Sequence, residues 1–254
     1  MQTASLWKRG RQRHLQLIQE VDDEELPSKL HLTDNSKTGI SIDFAIHKTC
    51  TPTAVCMGVG EDSAGCYALR GFMSFPNAVR MHARNQRLAD YLEKASLREV
   101  HRVVDALYSD LPRGLDWLRW NGAGDLSPGA CRMINAFTAR YDDILLWVIS
   151  RKPDMIAKLR DRKTLKLLMS LDHSTPEKTA ARLRAFTKKF KVGKARLAYT
   201  RVSEEDVPPK DAWVIFNKHV GGSFNDWPHK NVCPSSLPDT NHVNACDPCR
   251  RCFR

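Results

Sequence analysis

Trp117-Leu118-Arg119-Trp120-Asn121-Gly122-Ala123-Gly124-Asp125, followed downstream by Ile144-Leu145-Leu146-Trp147-Val148-Ile149-Ser150-Arg151, is the stretch that decides the architecture. Each half is a short apolar run closed by polar or turn-forming residues. The second run is continuously apolar, as in a strand buried on both faces. Between them Ser127-Pro128 opens a helix carrying Met133, Ile134 and Phe137. The same alternation continues towards the C-terminus. Pro153 starts a short helix with Met155, Ile156 and Leu159, and 165–171 reads as the next strand. Ser174-Thr175-Pro176-Glu177 matches a capping box and leads a helix with Leu183, Phe186 and Phe190 inward. Strands at 196–202 and 212–216 complete the set. Strands alternating with helices predict an α/β fold with a parallel sheet of βαβ units. We expect a partial or complete (β/α) TIM-type barrel, with an open doubly wound sheet as the alternative.

Upstream, 30–32 and 39–46 read as short strands around a turn at Asp34-Asn35-Ser36. After Pro76 the apolar positions Leu88, Tyr91, Leu92, Leu97, Val100, Val104, Leu107 and Leu111 recur at helical spacing. Residues 1–29 read as an N-terminal arm, a short helix or loosely held segment ending near Pro27. The barrel domain then covers 30–220, and a cysteine-rich segment covers 221–254.

Ligands of parallel sheets bind beyond the C-terminal ends of the strands, and those positions here are polar. Asn121, Gly122 and Gly124 could present backbone amides to an amino-acid or ribose group, with Asp125 accepting hydrogen bonds; Asp125 could equally cap the following helix. Ser150-Arg151-Lys152, Asp172-His173-Ser174, Tyr199-Thr200-Arg201 and Asn217-Lys218-His219 end the later strands. Arg119, Arg151, Arg201 and Lys218 are candidate phosphate contacts.

Seven of the eight cysteines fall in two clusters. Cys50, Cys56 and Cys66 follow the 39–46 strand, among Gly58, Gly60 and Gly65, which would let amides approach cluster sulfides. Cys233, Cys246, Cys249 and Cys252 lie at the other end of the chain. Three thiolates suit a four-iron cluster with one iron open, or a zinc site completed by His47 or His82. Four close a structural zinc or hold a full cluster. Cys131 sits on a helix as a small core residue.

The chain has 254 residues, of which 42% are apolar, enough to bury one large core. No apolar run approaches the roughly 18 residues of a membrane span, and the start lacks the apolar segment of a secretory signal. The expected compartment is therefore the cytoplasm, where clustered cysteines bind metal rather than pair. Forty Lys and Arg against 29 Asp and Glu leave a formal charge of +11, including Lys188, Lys189, Lys191 and Lys194. Such a balance favours a polyanionic partner, nucleic acid above all.

Cys50 to Tyr67, Ala78-Val79-Arg80 with Arg84-Asn85, Leu118 to Asp125, Leu146 to Arg151, Ser170-Leu171-Asp172 and the cysteine-rich tail together resemble the bacteriophage gene product 88 family, in the same order from about residue 30 to 253. The layout is in turn similar to that of radical S-adenosylmethionine enzymes. By that resemblance Cys50, Cys56 and Cys66 would hold a catalytic 4Fe-4S cluster. Gly122, Gly124 and Asp125 would lie near S-adenosylmethionine, and the four tail cysteines would hold an auxiliary centre. The spacing differs, with five and then nine residues between the cysteines here, where the usual motif has three and two. The resemblance implies a phage enzyme in the host cytoplasm that modifies or isomerises a base of DNA, including an amino-acid-substituted thymine. The alternatives are a zinc-dependent base-exchange enzyme of the DNA- or tRNA-guanine transglycosylase kind, with Asp125 and Asp172 as its carboxylates, and a non-catalytic, metal-stabilised DNA-binding protein.

Overall fold

The computed structural model of the chain describes residues 3–35, 39–58, 66–69, 71–217, 231–233 and 246–253. Among them seven strands form one sheet in the order β1-β2-β3-β4-β5-β6-β7. These are β1 (Leu32–Asn35), β2 (Gly39–Ile42), β3 (Trp117–Trp120), β4 (Leu145–Ser150), β5 (Leu165–Leu171), β6 (Lys194–Arg201) and β7 (Ala212–Asn217). β1 pairs antiparallel with β2, and every later neighbour is parallel.

Spatial order follows chain order without a reversal. A doubly wound sheet requires a reversal, because that is what sends helices to both faces. Right-handed crossovers running one way lay them on one face instead, as in a barrel wall. Accordingly α4 (Pro76–Lys94), α5 (Leu97–Asp110), α6 (Pro128–Arg140) and α8 (Glu177–Lys189) share one core with one face of the sheet. Trp120, Leu118, Leu146, Val148, Leu165 and Met169 are fully buried there, each such side chain contributing about 1.5–3 kcal/mol. β1 and β7 are not paired to each other, so closure into a barrel is not seen among the described residues.

The opposite face carries Trp117, Trp147, Leu168, Ala198 and Val214, covered by the C-terminal segment. Phe253 stacks on Trp117 at 4.7 Å and lies 5.1 Å from Trp147. Arg250 pairs with Asp116, and the carbonyl of Arg251 accepts from Arg196 at 3.1 Å and Trp213 at 2.9 Å. These anchors lie at the starts of β3, β6 and β7. The tail therefore covers the N-terminal half of this face.

Three readings of the sequence change. The N-terminal arm is a long helix, α1 (Thr3–Asp22), docked on α4 through Leu17, Ile18, Val21, Val79 and Ala83. Ion pairs Arg80–Glu20 at 2.7 Å and Arg84–Glu24 at 2.6 Å flank the contact. β1 runs through Asp34 and Asn35, where a turn was expected. The box at 174–177 is not a cap: α8 starts at Glu177 after Pro176 without a side-chain cap, while Ser174 and Thr175 bind Asp172.

Two buried histidines, His14 and His82, and the half-buried His47 meet where α1 packs on α2 (Ile46–Thr49) and α4. His14 meets His47 edge to face at 5.3 Å, and His82 Nε2 lies 3.9 Å from Asp43. Burial, then neighbouring cations and imidazoles, including Arg13 and His82 at His14 and Arg11 at His47, lowers His14 and His47 to about 4. Their folded values lie below the unfolded 6.5, so the unfolded chain binds more protons between those limits. Stability is full above pH 6.5 and falls as pH drops towards 4. Guanidinium unfolding from pH 7 to 4.5 should show a falling midpoint, flattened in His14→Gln/His47→Gln; an equally steep fall in the double variant would refute this origin.

Candidate functional site

Residues 43–57 leave the end of β2 and, through Thr49 and Thr53, reach residues at the C-terminal ends of β3, β4 and β5. Asp43, fully buried just past β2, accepts from the amide of Ala123 at 2.6 Å and from Thr33 at 2.5 Å. A β-carbon on Gly122 would stand 2.2 Å from Asp43 Oδ1, and one on Gly124 (φ +80) 2.7 Å from the carbonyl of Phe44. The glycines let the loop after β3 press against the end of β2. Next in line, Thr49 Oγ1 accepts from the amide of Asp125 at 2.9 Å and donates to the carbonyl of Ala45 at 2.9 Å. That holds Cys50, the next residue, beside Asp125.

Asp125 is buried and does not cap α6, whose cap is Ser127, accepting from the amide of Ala130. Its carboxylate accepts from Ser150 Oγ at 2.6 Å and from the amides of Leu126 at 2.7 Å and Arg151 at 3.2 Å. Burial nevertheless raises its pKa above the ordinary carboxylate range. Asn121, in the left-handed region at φ 64, donates to the carbonyl of Ile149 at 3.0 Å.

A second knot fixes Cys56. Thr53 caps α3 (Ala54–Met57), accepting from the amide of Cys56 at 3.4 Å, and it donates to Asp172 Oδ2 at 2.8 Å. Asp172 also pairs with Arg151 and accepts from Ser174 Oγ at 2.8 Å. Arg151 reaches Thr53 at 3.2 Å and Ser170 at 3.3 Å. Burial raises the Asp172 carboxyl, but Arg151 and the hydroxyl donors outweigh it and bring the pKa below the usual range. Lys152 closes the wall with bonds to the carbonyls of Thr49 at 3.1 Å and Leu126 at 2.8 Å.

The thiols are electrostatic neighbours. Burial pushes Cys50 well above the ordinary thiol value, and the charges of Asp125, Cys66 and Cys56 push it further. In the tail, burial and the adjacent Cys233, Cys246 and Cys249 push Cys252 up to about 12. No disulfide joins any of the eight cysteines. Among the described residues no three His, Cys, Asp or Glu side chains converge tightly enough to hold a metal ion. One tetrahedral zinc would need thiolates about 3.8 Å apart, from Zn–S bonds of about 2.3 Å. The two thiol groups gather without that convergence.

The other sequence candidates fall elsewhere. His47 and His82 stand against His14 and Asp43. Arg119 lies over Trp147 at 5.0 Å, next to Cys252 on the tail side of the sheet. Arg201 is buried, donating to the carbonyls of Asp206 at 3.1 Å and Glu204 at 2.7 Å. Cys131 is 1% exposed in the core. Lys218, His219, Gly60 and Gly65 lie outside the described residues. Thr49 and Thr53 went unnoticed as site residues, their one visible signal being that they flank Cys50; Ser150 and Lys152 stood among the polar strand ends without a role of their own.

Residues 7–254 match the family described as Gene product 88. The chain belongs to this bacteriophage gene product family. The match includes both cysteine groups and every strand of the sheet. No curated protein and no solved structure matches the chain. Among the described residues of this gene product 88 member, no helix is long and apolar enough to cross a membrane.

Proposed function

We propose that this gene product 88 protein is an iron–sulfur enzyme of the radical S-adenosylmethionine type, which modifies or isomerises a nucleic-acid base in the host cytoplasm. The observation that carries the reading is the place of Cys50, Cys56 and Cys66. Three thiols lie beyond the first of six parallel strands laid in chain order, beside the buried Asp125 carboxylate. Cys50, Cys56 and Cys66 would hold the cluster, and Cys233, Cys246, Cys249 and Cys252 an auxiliary one. When bound, a four-iron cluster with one open iron supplies an electron and a coordination position for S-adenosylmethionine.

The protein's own residues do the rest. Arg151, Asp172 and Thr53 fix the helical turn that carries Cys56. Asp125, held by Ser150 and two amides, forms the polar wall next to Cys50, and the Asn121–Gly124 turn presents backbone there. The three thiols are half-buried, and burial around Cys50 limits water on the Asp125 side. In this reading Asp125 and Asp172 are positioning residues. A base-exchange enzyme would need one of them as a nucleophile, and Asp172 is already committed to Arg151, Thr53 and Ser174.

Protein purified without oxygen should be brown, contain iron and acid-labile sulfide, and cleave S-adenosylmethionine when reduced. Cys56→Ala should abolish the cleavage. Colourless protein with zinc alone, or full cleavage by Cys56→Ala, would overturn the proposal.

A further inference from the structure

At the end of the sheet opposite the Cys50 loop, two loops enter β5 and β6 side by side. Asp161 clamps them together, accepting from the amides of Lys191 at 2.7 Å, Val192 at 2.9 Å and Gly193 at 2.6 Å. Residues 160–166 and 188–196 contain nine Lys and Arg and no acid besides Asp161. That carboxylate is held by backbone amides, and its one charge stands against nine cations.

Elsewhere the fold pairs its arginines, as in Arg84–Glu24, Arg140–Asp105, Arg182–Asp154 and Arg184–Asp211. Here Arg162, Lys163, Lys188, Lys189, Lys191 and Lys194 are all exposed, and none has an ion pair among the described residues. Lys166 and Lys194 are direct neighbours across β5 and β6. Like charges opposite one another on adjacent strands are destabilising. Lys166 is moreover only 9% exposed, with its ammonium on the carbonyl of Lys163 at 2.7 Å. A fold that keeps this arrangement against its own stability gains from an anion bound outside.

We propose that this surface binds the phosphodiester backbone of a nucleic acid. Two loops tied together by Asp161 set exposed cations from both β5 and β6 on one surface, as an extended polyanion requires. It lies at the strand starts, away from Cys50, Cys56 and Cys66 at the strand ends and beside the tail group at Cys252, so it tethers a polymer without presenting a base to the Cys50 site. The inference is independent of the iron–sulfur reading.

The test is fluorescence anisotropy with a short DNA duplex and an RNA duplex of matched length across a salt series, on wild type, Lys163→Glu/Lys194→Glu and Lys188→Glu/Lys189→Glu. Wild type should bind with a steep salt dependence. Each double variant should lose about tenfold or more in affinity at low salt and flatten the slope by about two, near 0.9 per lost phosphate contact. Arg98→Glu/Arg102→Glu, on exposed positions of α5, should bind as wild type does. The duplex bound more tightly identifies the natural polymer. Cys56→Ala should bind unchanged, which separates this inference from the fate of the thiol site. Absence of salt-dependent binding to either duplex, or wild-type affinity in both lysine variants, would overturn the proposal.

Discussion

Replacing Arg151 by Gln should cost about 3–5 kcal/mol of folding stability, the usual penalty for leaving one partner of a buried ion pair alone. Asp172 has a side-chain exposure of 0% and Arg151 of 19%, so water cannot replace the guanidinium. The carboxylate would keep Thr53, Ser174 and Thr175 as donors but lose its counter-charge. The loss should depend on pH in a definite direction. In the native protein Asp172 is held below its unfolded value. The pair therefore stabilises fully above pH about 4, the ordinary aspartate range, and its contribution disappears as pH falls through the folded pKa. Denaturant unfolding should show a large gap between wild type and variant at pH 7 that narrows in acid. Arg151→Gln/Asp172→Asn should recover part of the loss, since no unpaired charge then remains. A loss under 1 kcal/mol at pH 7 would mean that the pair does not anchor the loop.

The same cluster shows what the sequence could and could not reveal. β3, β4, β5 and β7 were legible because burial on both faces demands unbroken apolar runs such as Leu146-Trp147-Val148 and Leu167-Leu168-Met169, and few other structures tolerate them. The chain order of the strands was not legible, but the regular alternation narrowed it to folds whose site lies beyond the strand ends. Asp125, Arg151 and Asp172 were identified from that rule alone, and all three do meet there. Their partners were hidden. Thr49 and Thr53 carry no pattern beyond lying close to Cys50, because a hydroxyl becomes a site residue only through contacts distant in sequence, such as Thr53 to Asp172.

Local signals also compete. Ser174-Thr175-Pro176-Glu177 has the residues of a capping box, yet a buried carboxylate two residues upstream draws the hydroxyls away from the helix. Ser96 and Glu99 form a complete box and split the long helical pattern after Pro76 into α4 and α5. α1 was read as a short helix or loosely held segment, not a long docked one, because it buries only a narrow stripe of Leu17, Ile18 and Val21.

Gly129→Ala should be the most damaging single methyl in the chain, costing about 3 kcal/mol or more against the 1–3 kcal/mol of ordinary overpacking. A β-carbon there would lie 1.7 Å from the carbonyl oxygen of Ala89 and 2.6 Å from its carbonyl carbon. These are backbone atoms, so no rotamer change can relieve the clash and the two helices must separate. Ala89→Gly should not rescue the variant, because the obstacle is a carbonyl and not a side chain. Gly114→Ala is the natural comparison: it has open space around it but φ of +80, and should cost only about 1–2 kcal/mol. The consequence reaches the site as well. α4 carries Asn85, which donates to the carbonyls of His31 at 2.9 Å and Asp43 at 3.0 Å, and α6 is capped by Ser127, two residues after Asp125, and begins at Pro128. Forcing α6 off α4 therefore pulls Asp125 away from the β2 end and from Cys50. Urea unfolding measures the first effect. If the thiols hold a cluster, iron content per folded chain should fall along with stability, whereas a variant of native stability would show that α4 and α6 part without cost.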